Sequence, residues 1–260
     1  MPTEITRDRY GRPMVVPPKG GAAVAYTRAT TIANSLDDAS ALTAWKMRMA
    51  AIGLTSRPDL LLAIGVAADD NKLVNAYIEE AMDAAGASKA ATIGTAIHAL
   101  TEKLDLGLEL GPIPDQWLPD IKAYEKATSI LTNLFIEQFT VYDKFKIAGT
   151  PDRVVEYKGE RFIADLKTGR IDHPNNISMQ LAIYANGMPY MVDTASRGTW
   201  GDINTEKAII IHAPAGTGTC KLVWIDIKEG WKGVQFAMKV RQWRDQKGLA
   251  TPFEQGEDSA

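Results

Sequence analysis

A single cysteine, Cys220, stands among 260 residues. An internal disulfide is thereby excluded, as is an iron–sulfur cluster or structural zinc held by thiolates of this chain alone. A surplus of positive charge is also missing: 29 Lys and Arg face 32 Asp and Glu, for a formal net charge of -3. That balance excludes a protein that coats nucleic acid by bulk charge, but leaves room for an enzyme with a local basic cleft. No apolar run approaches the roughly 20 residues needed to cross a bilayer, so no membrane partner is expected. The first residues have no apolar signal core, so export is not expected either. There is no Gly-x-x-x-x-Gly-Lys-Ser/Thr loop, and hence no helicase or ATPase motor on this chain. Internal repeats are absent.

What remains is the balance of a soluble globular protein, 45% hydrophobic and 23% charged. The length suffices for one sizeable core with an attached helical lobe. Residues 1–24 are rich in Pro, Gly and charge without periodicity and read as an extended arm. Helices follow over about 35–52, where Leu42, Trp45, Met49 and Ile52 recur at helical spacing and Ser35 or Asp37 can cap, and over about 58–64 and 69–85, with Asp69 or Asp70 as cap and Gly86 as stop. Ser88 to Leu106 carries the apolar stripe Ile93, Ile97, Leu100 and Leu104 and closes at Gly107. A Pro-rich connector at 111–114 leads to a helix over about 115–133.

The pattern then changes. Residues 135–142, 152–157 and 161–166 are short, β-branched and aromatic, with Lys158-Gly159 as a tight hairpin turn. Helix returns at 175–188, with Ile177, Leu181, Tyr184 and Met188 on one face. Strands at 207–212 and 221–227, a helix over about 231–247 and an acidic tail at 251–260 complete the chain. The expectation is an α/β fold: a mixed central sheet made of a three-strand meander, a helix and further strands, flanked by helices. Residues 25–134 would form the helical lobe and 135–250 the core.

One constellation carries chemistry. Gly149-Thr150-Pro151-Asp152 is followed, after twelve residues, by Asp165-Leu166-Lys167. Side chains at i and i+2 of a strand share a face, so Asp165 and Lys167 emerge together. Asp152 lies six residues before Lys158 and Asp165 six after Gly159, so the hairpin brings the two aspartates together. Two carboxylates at one strand end can hold Mg²⁺ or Mn²⁺, and such an ion can activate a water and neutralise a phosphate. The carbonyl of Leu166 can add a backbone ligand. Lys167 can orient the attacking water or, with a lowered pKa, act as its base. Taken alone, Asp-x-Lys is common on solvated strands and Thr-Pro-Asp is an ordinary turn. A charge such as Asp165 at the end of an apolar strand, however, needs a reason. His98 lies beside the stripe of its helix; it is either a third ligand through neutral imidazole or a half-buried helix histidine. Glu102, one turn on, either orients His98 or is a surface charge. Gln180 and Tyr184 lie four apart on one helical face and can hydrogen-bond a phosphate or a metal-bound water, although Tyr184 also fits the core stripe.

In this order, Gly94-Thr95-x-x-His98, Gly149-Thr150-Pro151-Asp152, Asp165-Leu166-Lys167-Thr168-Gly169 and Gln180-x-x-x-Tyr184 resemble the PD-(D/E)XK nuclease superfamily in its RecB-like exonuclease branch. The chain is also similar to stand-alone exonucleases of actinobacterial phages. The resemblance covers roughly 94–184 and implies a restriction-endonuclease-like core and Mg²⁺- or Mn²⁺-dependent cleavage of DNA. It also implies metal ligation by His98, Asp152 and Asp165, water positioning by Lys167, and Gln180 and Tyr184 at the DNA. Exonuclease action on ends, in phage recombination or repair, follows from the branch, with the host bacterial cytoplasm as the setting if the chain is phage-encoded. Any helicase or annealing partner would be another chain. The alternatives are a structure-specific or restriction-like endonuclease and a non-catalytic DNA-binding or assembly protein on the same fold. The chain departs from many RecB-like nucleases in lacking the four cysteines of their iron–sulfur cluster, and in having Asp165 where Glu is commoner.

Overall fold

The computed structural model describes residues 4–172 and 174–252. In chain order its elements are β1 (Met14–Val15), β2 (Val24–Ala25), β3 (Thr27–Arg28), α1 (Ala29–Ala33), α2 (Ser40–Ser56), α3 (Pro58–Val66), α4 (Asn71–Ala84), α5 (Lys89–Asp105) and α6 (Leu118–Thr128). Then come β4 (Thr132–Ile136), β5 (Thr140–Tyr142), β6 (Ile147–Gly149), β7 (Arg153–Tyr157), β8 (Glu160–Lys167) and α7 (Asn175–Asn186). The chain continues through β9 (Met188–Met191), β10 (Ser196–Arg197), β11 (Lys207–His212), β12 (Lys221–Asp226) and α8 (Ile227–Arg244). The fold is mixed α/β, as the sequence pattern predicts.

The central sheet has the order β12-β11-β8-β7-β4. Its heart is the expected hairpin. Lys158 and Gly159 turn at positive φ, 52° and 82°, and pair β7 with β8 antiparallel from Tyr157↔Glu160 to Arg153↔Ala164. After β8 the chain crosses over through α7 and returns as β11, parallel to β8. The Gly-rich turn then lays β12 antiparallel on β11. Alternation along β8 sends Ile163 to one face, against α7, α1 and α8, and Phe162, Ala164 and Leu166 to the other, with Ile97 of α5 and Tyr124 of α6. A second sheet, β10-β9-β5-β6-β3, packs Val141, Ala148 and Tyr190 with Val15 and Tyr26.

Several expectations are corrected. Residues 135–142 are not one strand: the chain breaks at Glu137, whose φ is 49°, and β4 and β5 join different sheets. The meander is therefore β4-β7-β8, with β5 and β6 set aside. The helix expected to reach 133 stops at Thr128, because the β-branched and aromatic run 132–136 pairs with β7 instead. Within the expected arm, 4–24 hold the β1–β2 hairpin and bury Val15. The helix expected from 35 starts at Ser40, where Asp38 Oδ1 accepts from the Ser40 N–H at 2.9 Å. The preceding α1 belongs with the sheet, where Ile32 is buried in the core against α7. The stripe on α2 is not a core stripe, since Leu42 and Ile52 remain 53% and 57% exposed. Met188 has left α7 for β9 and is exposed. The cap at Asp70 is as expected, its carboxylate accepting from the N–H groups of Lys72 and Leu73. Residues 253–260 of the expected acidic tail lie outside the described residues.

α5 is fixed to the sheet by charge as well as by Ile97. Arg153, at the start of β7, is buried, and its guanidinium donates to Asp105 at the end of α5 and to the Thr101 hydroxyl at 3.2 Å. The Tyr124 hydroxyl donates to the same Asp105 carboxylate at 2.7 Å, and the guanidinium lies over the Tyr124 ring, 5.2 Å from its centroid. Removing one partner of such a pair strands the other charge. Arg153→Ala should therefore cost about 3–5 kcal/mol, read as a lowered midpoint in urea unfolding; a loss under about 1 kcal/mol would mean that solvent reaches Asp105.

Candidate active site

The two aspartates meet where the hairpin register predicts. Asp152 lies one residue beyond the last β7–β8 pair, and its Oδ2 accepts from the Leu166 N–H at 2.7 Å, in place of a strand partner. Asp165 follows Ala164 on β8 and is 2% exposed. Lys167 emerges on the same face with its Nζ 2.5 Å from Asp165 Oδ2. This is a close charge contact without hydrogen-bond geometry, and Asp165 Oδ2 is otherwise a buried oxygen with no donor. His98, half-buried on α5, places Nδ1 3.5 Å from Asp152 Oδ2.

On α7, Gln180 donates through Nε2 to the Tyr184 hydroxyl at 3.1 Å. Tyr184 is buried, as its stripe predicts, yet its hydroxyl stands in the field of Asp165, Asp152 and Glu137. His98, Asp152, Asp165, Lys167, Gln180 and Tyr184 thus gather at one end of the central sheet, between α5 and α7. Leu166 contributes through its backbone: its N–H to Asp152 and its carbonyl toward the His98 ring. Its side chain is core.

Two glycines of the motifs have a spatial reason. A Cβ on Gly94 would come 2.8 Å from the Thr168 hydroxyl, and one on Gly149 would come 2.9 Å from the Tyr184 hydroxyl. Gly94 lets α5 approach the end of β8, and Gly149 leaves room for the tyrosine.

The electrostatics are those of crowded carboxylates. Burial pushes the Asp165 carboxyl up to about 6, Asp152 pushes the same way, and Lys167 pulls it back. Asp152 is also raised by burial, against the opposing Leu166 N–H, Arg153 and Lys167. His98 is lowered, first by burial, so its imidazole is neutral near pH 7 and has a lone pair to give.

Sequence reasoning missed Glu137. It sits at the break after β4, in a left-handed conformation that non-glycine residues adopt at some cost. Its N–H donates to the Asp152 carbonyl at 3.0 Å, which ties it to the site. Partial burial pushes its carboxyl up to about 8, and Asp152, Glu102 and Asp165 add repulsion. The residue's surface is largely exposed, so solvent screens part of that push, while burial and the surrounding carboxylates act in the same direction. Glu102 makes no hydrogen bond to His98 and acts here as further negative charge on Asp152 and Glu137. The signal for Glu137 was a charge inside an apolar run, the same signal that marked Asp165.

The donor set suits a hard divalent cation: carboxylate oxygens, a carbonyl and a neutral imidazole, with one buried carboxylate oxygen lacking a donor. Among the described residues, no three of His, Cys, Asp and Glu already converge as a ligand cluster. Lys167 lies against the Asp165 oxygen and supplies the counter-charge instead. Among the same residues no single helix is long and apolar enough to cross a membrane, while α2 and α3 pass that test only together, bent by 107°.

Compared with known proteins, the chain matches no family model and no curated sequence.

Carboxyls raised on folding hold protons more tightly in the native state, so their contribution is complete below the unfolded pKa near 4 and is lost as pH rises through about 6 and about 8. In metal-free buffer Tm should fall between about pH 5 and pH 9, and Glu137→Gln should flatten the upper part of that fall. A Tm that rises across this range would remove the crowding.

Proposed function

We propose that this chain is a Mg²⁺- or Mn²⁺-dependent deoxyribonuclease of the PD-(D/E)XK kind, RecB-like in its motifs, acting as an exonuclease on DNA ends. The observation that carries the reading is the buried Asp165 beside Asp152, with the Lys167 ammonium 2.5 Å from its oxygen. A fold has no structural need to bury two carboxylates side by side.

Asp152, Asp165 and His98, with the Leu166 carbonyl, would hold the ion. When bound, it supplies the positive charge that activates water and neutralises the scissile phosphate. Lys167 stays on the solvent side of Asp165, 27% exposed, where its ammonium can hold the attacking water or a phosphate oxygen. Tyr184 keeps its proton, because burial raises its pKa further, and its hydroxyl remains a donor toward a phosphate. Gln180 holds that hydroxyl in place. Any helicase or annealing protein that works with the nuclease is a separate chain.

End-labelled linear DNA beside a closed circle, with Mg²⁺ or Mn²⁺ and with Asp165→Ala as control, tests the reading. Loss of the linear form alone, abolished in the variant, is expected. Cutting of the circle would make the enzyme an endonuclease, and no cleavage by folded protein would leave a non-catalytic DNA-binding or assembly role.

Lys167→Ala should lose about 10²-fold or more in rate if the amine aids proton transfer, with DNA affinity nearly unchanged. A matching loss of affinity would make Lys167 a phosphate contact. In calorimetry Asp165→Ala should weaken Mn²⁺ binding; unchanged affinity removes Asp165 from the ligand set.

A further inference from the structure

Beside the carboxylates a cleft of about 830 Å³ opens between the first half of α5 and the loop after β11. His98, Gly94, Thr168 and Gly169 line it and join it to the site, while Ala91 and Trp117 form its outer walls. The opposite side of Lys167 opens into a smaller hollow of about 350 Å³ lined by Arg170, Asp172 and Asn176. One side of the candidate site is thus largely apolar and aromatic, and the other is charged and polar, with two cations to one carboxylate.

The indole wall is firmly built. Asp120, in the first turn of α6, is 2% exposed, and its two oxygens accept from the N–H groups of Gly216 and Gly218 at 2.7 and 2.6 Å. That clamps the loop beside Trp117, whose ring a Cβ added at Gly216 would touch at 3.6 Å. The same loop is fastened to the end of β8, with the Ala213 N–H donating to the Lys167 carbonyl at 3.0 Å and the Ala215 N–H to the Thr168 carbonyl at 3.1 Å. Trp117 therefore stands at a fixed place relative to Lys167.

We propose that this cleft receives an unpaired base of the strand being cut, stacked on Trp117, so that the substrate entering the site is single-stranded DNA. The identity of the ligand rests on the nuclease reading above. The volume lies within the range of about 300–1,000 Å³ typical of pockets for flat organic ligands. Base–aromatic stacking needs a free π-face, which a base inside a duplex does not offer. The cleft has little charge with which to grip a backbone, whereas Lys167 and Arg170 lie across the site, where a phosphate would run; Arg170 is 88% exposed and paired with the half-exposed Asp172 at 2.6 Å, a surface pair that a phosphate can replace. His98 on the cleft side lies 3.5 Å from Asp152, and Lys167 on the other side lies 2.5 Å from Asp165, so a strand with its base on Trp117 and its backbone toward Arg170 would run past both carboxylates.

The test is binding without cleavage. The full chain is titrated in EDTA against a short fluorescein-labelled oligothymidine, the same oligomer with central abasic residues, and a blunt duplex of equal length, read by anisotropy. The thymidine strand should bind at least about ten-fold more tightly than the abasic strand or the duplex, the range of one or two stacked bases. Trp117→Ala should remove about ten-fold or more of that affinity, and Trp117→Phe should restore most of it. Trp117 also touches the core, so Ala91→Trp provides a second route: it fills the cleft from an exposed helix position and should weaken the thymidine strand in the same way. Equal binding of abasic and thymidine strands, thymidine binding unchanged in both Trp117→Ala and Ala91→Trp, or no binding of any DNA overturns the proposal. Metal-dependent cleavage with no dependence on Trp117 keeps the nuclease and loses the pocket. Binding through Trp117 with no cleavage under any metal keeps the pocket and loses the nuclease.

Discussion

Two carboxylates in one desolvated corner are the constraint around which this molecule is arranged. Burial raises the proton affinity of both, Asp152 raises that of Asp165 further, and Glu102 adds to that of Asp152. Three devices hold them there. The Leu166 N–H, left without a strand partner at the end of the β7–β8 ladder, turns to Asp152. Lys167 leans onto Asp165. The Arg153–Asp105 pair holds α5, and with it His98, against the start of β7. Asp105 lies about two helical turns beyond His98 on α5, so the same buried charge that stabilises the packing also sets the position of the imidazole.

The part of this site that was legible in the sequence is the part that local geometry dictates. A two-residue turn fixes the register of a hairpin, and the register fixes which residues face each other. From Lys158-Gly159 alone, Asp152 and Asp165 had to meet, and they do. Parity along β8 likewise placed Lys167 beside Asp165. The glycines of the motifs became intelligible only in space: Gly94 is close to Thr168, and Gly149 to Tyr184, across separations of many residues.

What the sequence hid was non-local. No local pattern marks Arg153 or Asp105, 48 residues apart, as a pair that the fold buries together. The run 135–142 is β-branched and aromatic except at Glu137 and Gln138 and holds no Gly or Pro, so no turn signal announced that Glu137 would take a left-handed conformation and split it between two sheets. The stripe on α2 shows the reverse error. Helical periodicity correctly gave the helix, but periodicity does not say what covers the apolar side, and Leu42 and Ile52 stay open.

Three residues that depart from ordinary rules meet at the site, while other left-handed residues, Lys146 and Ala195 among them, lie in turns elsewhere. Glu137 holds an unfavoured backbone, Asp165 keeps a buried oxygen without a donor, and Asp152 spends its hydrogen bond on a strand end. In the interior of the same sheet Ile163, Ile210 and Val154 are buried in the core, and the ladder's one shift of register falls in β4, between Asn133 and Phe135. A sequence under selection for stability alone would fill this corner with apolar side chains of similar volume, which is often neutral or stabilising where buried charges are replaced. A buried pair of carboxylates beside a left-handed glutamate at one sheet end is the pattern expected where function, rather than folding, chooses the residues.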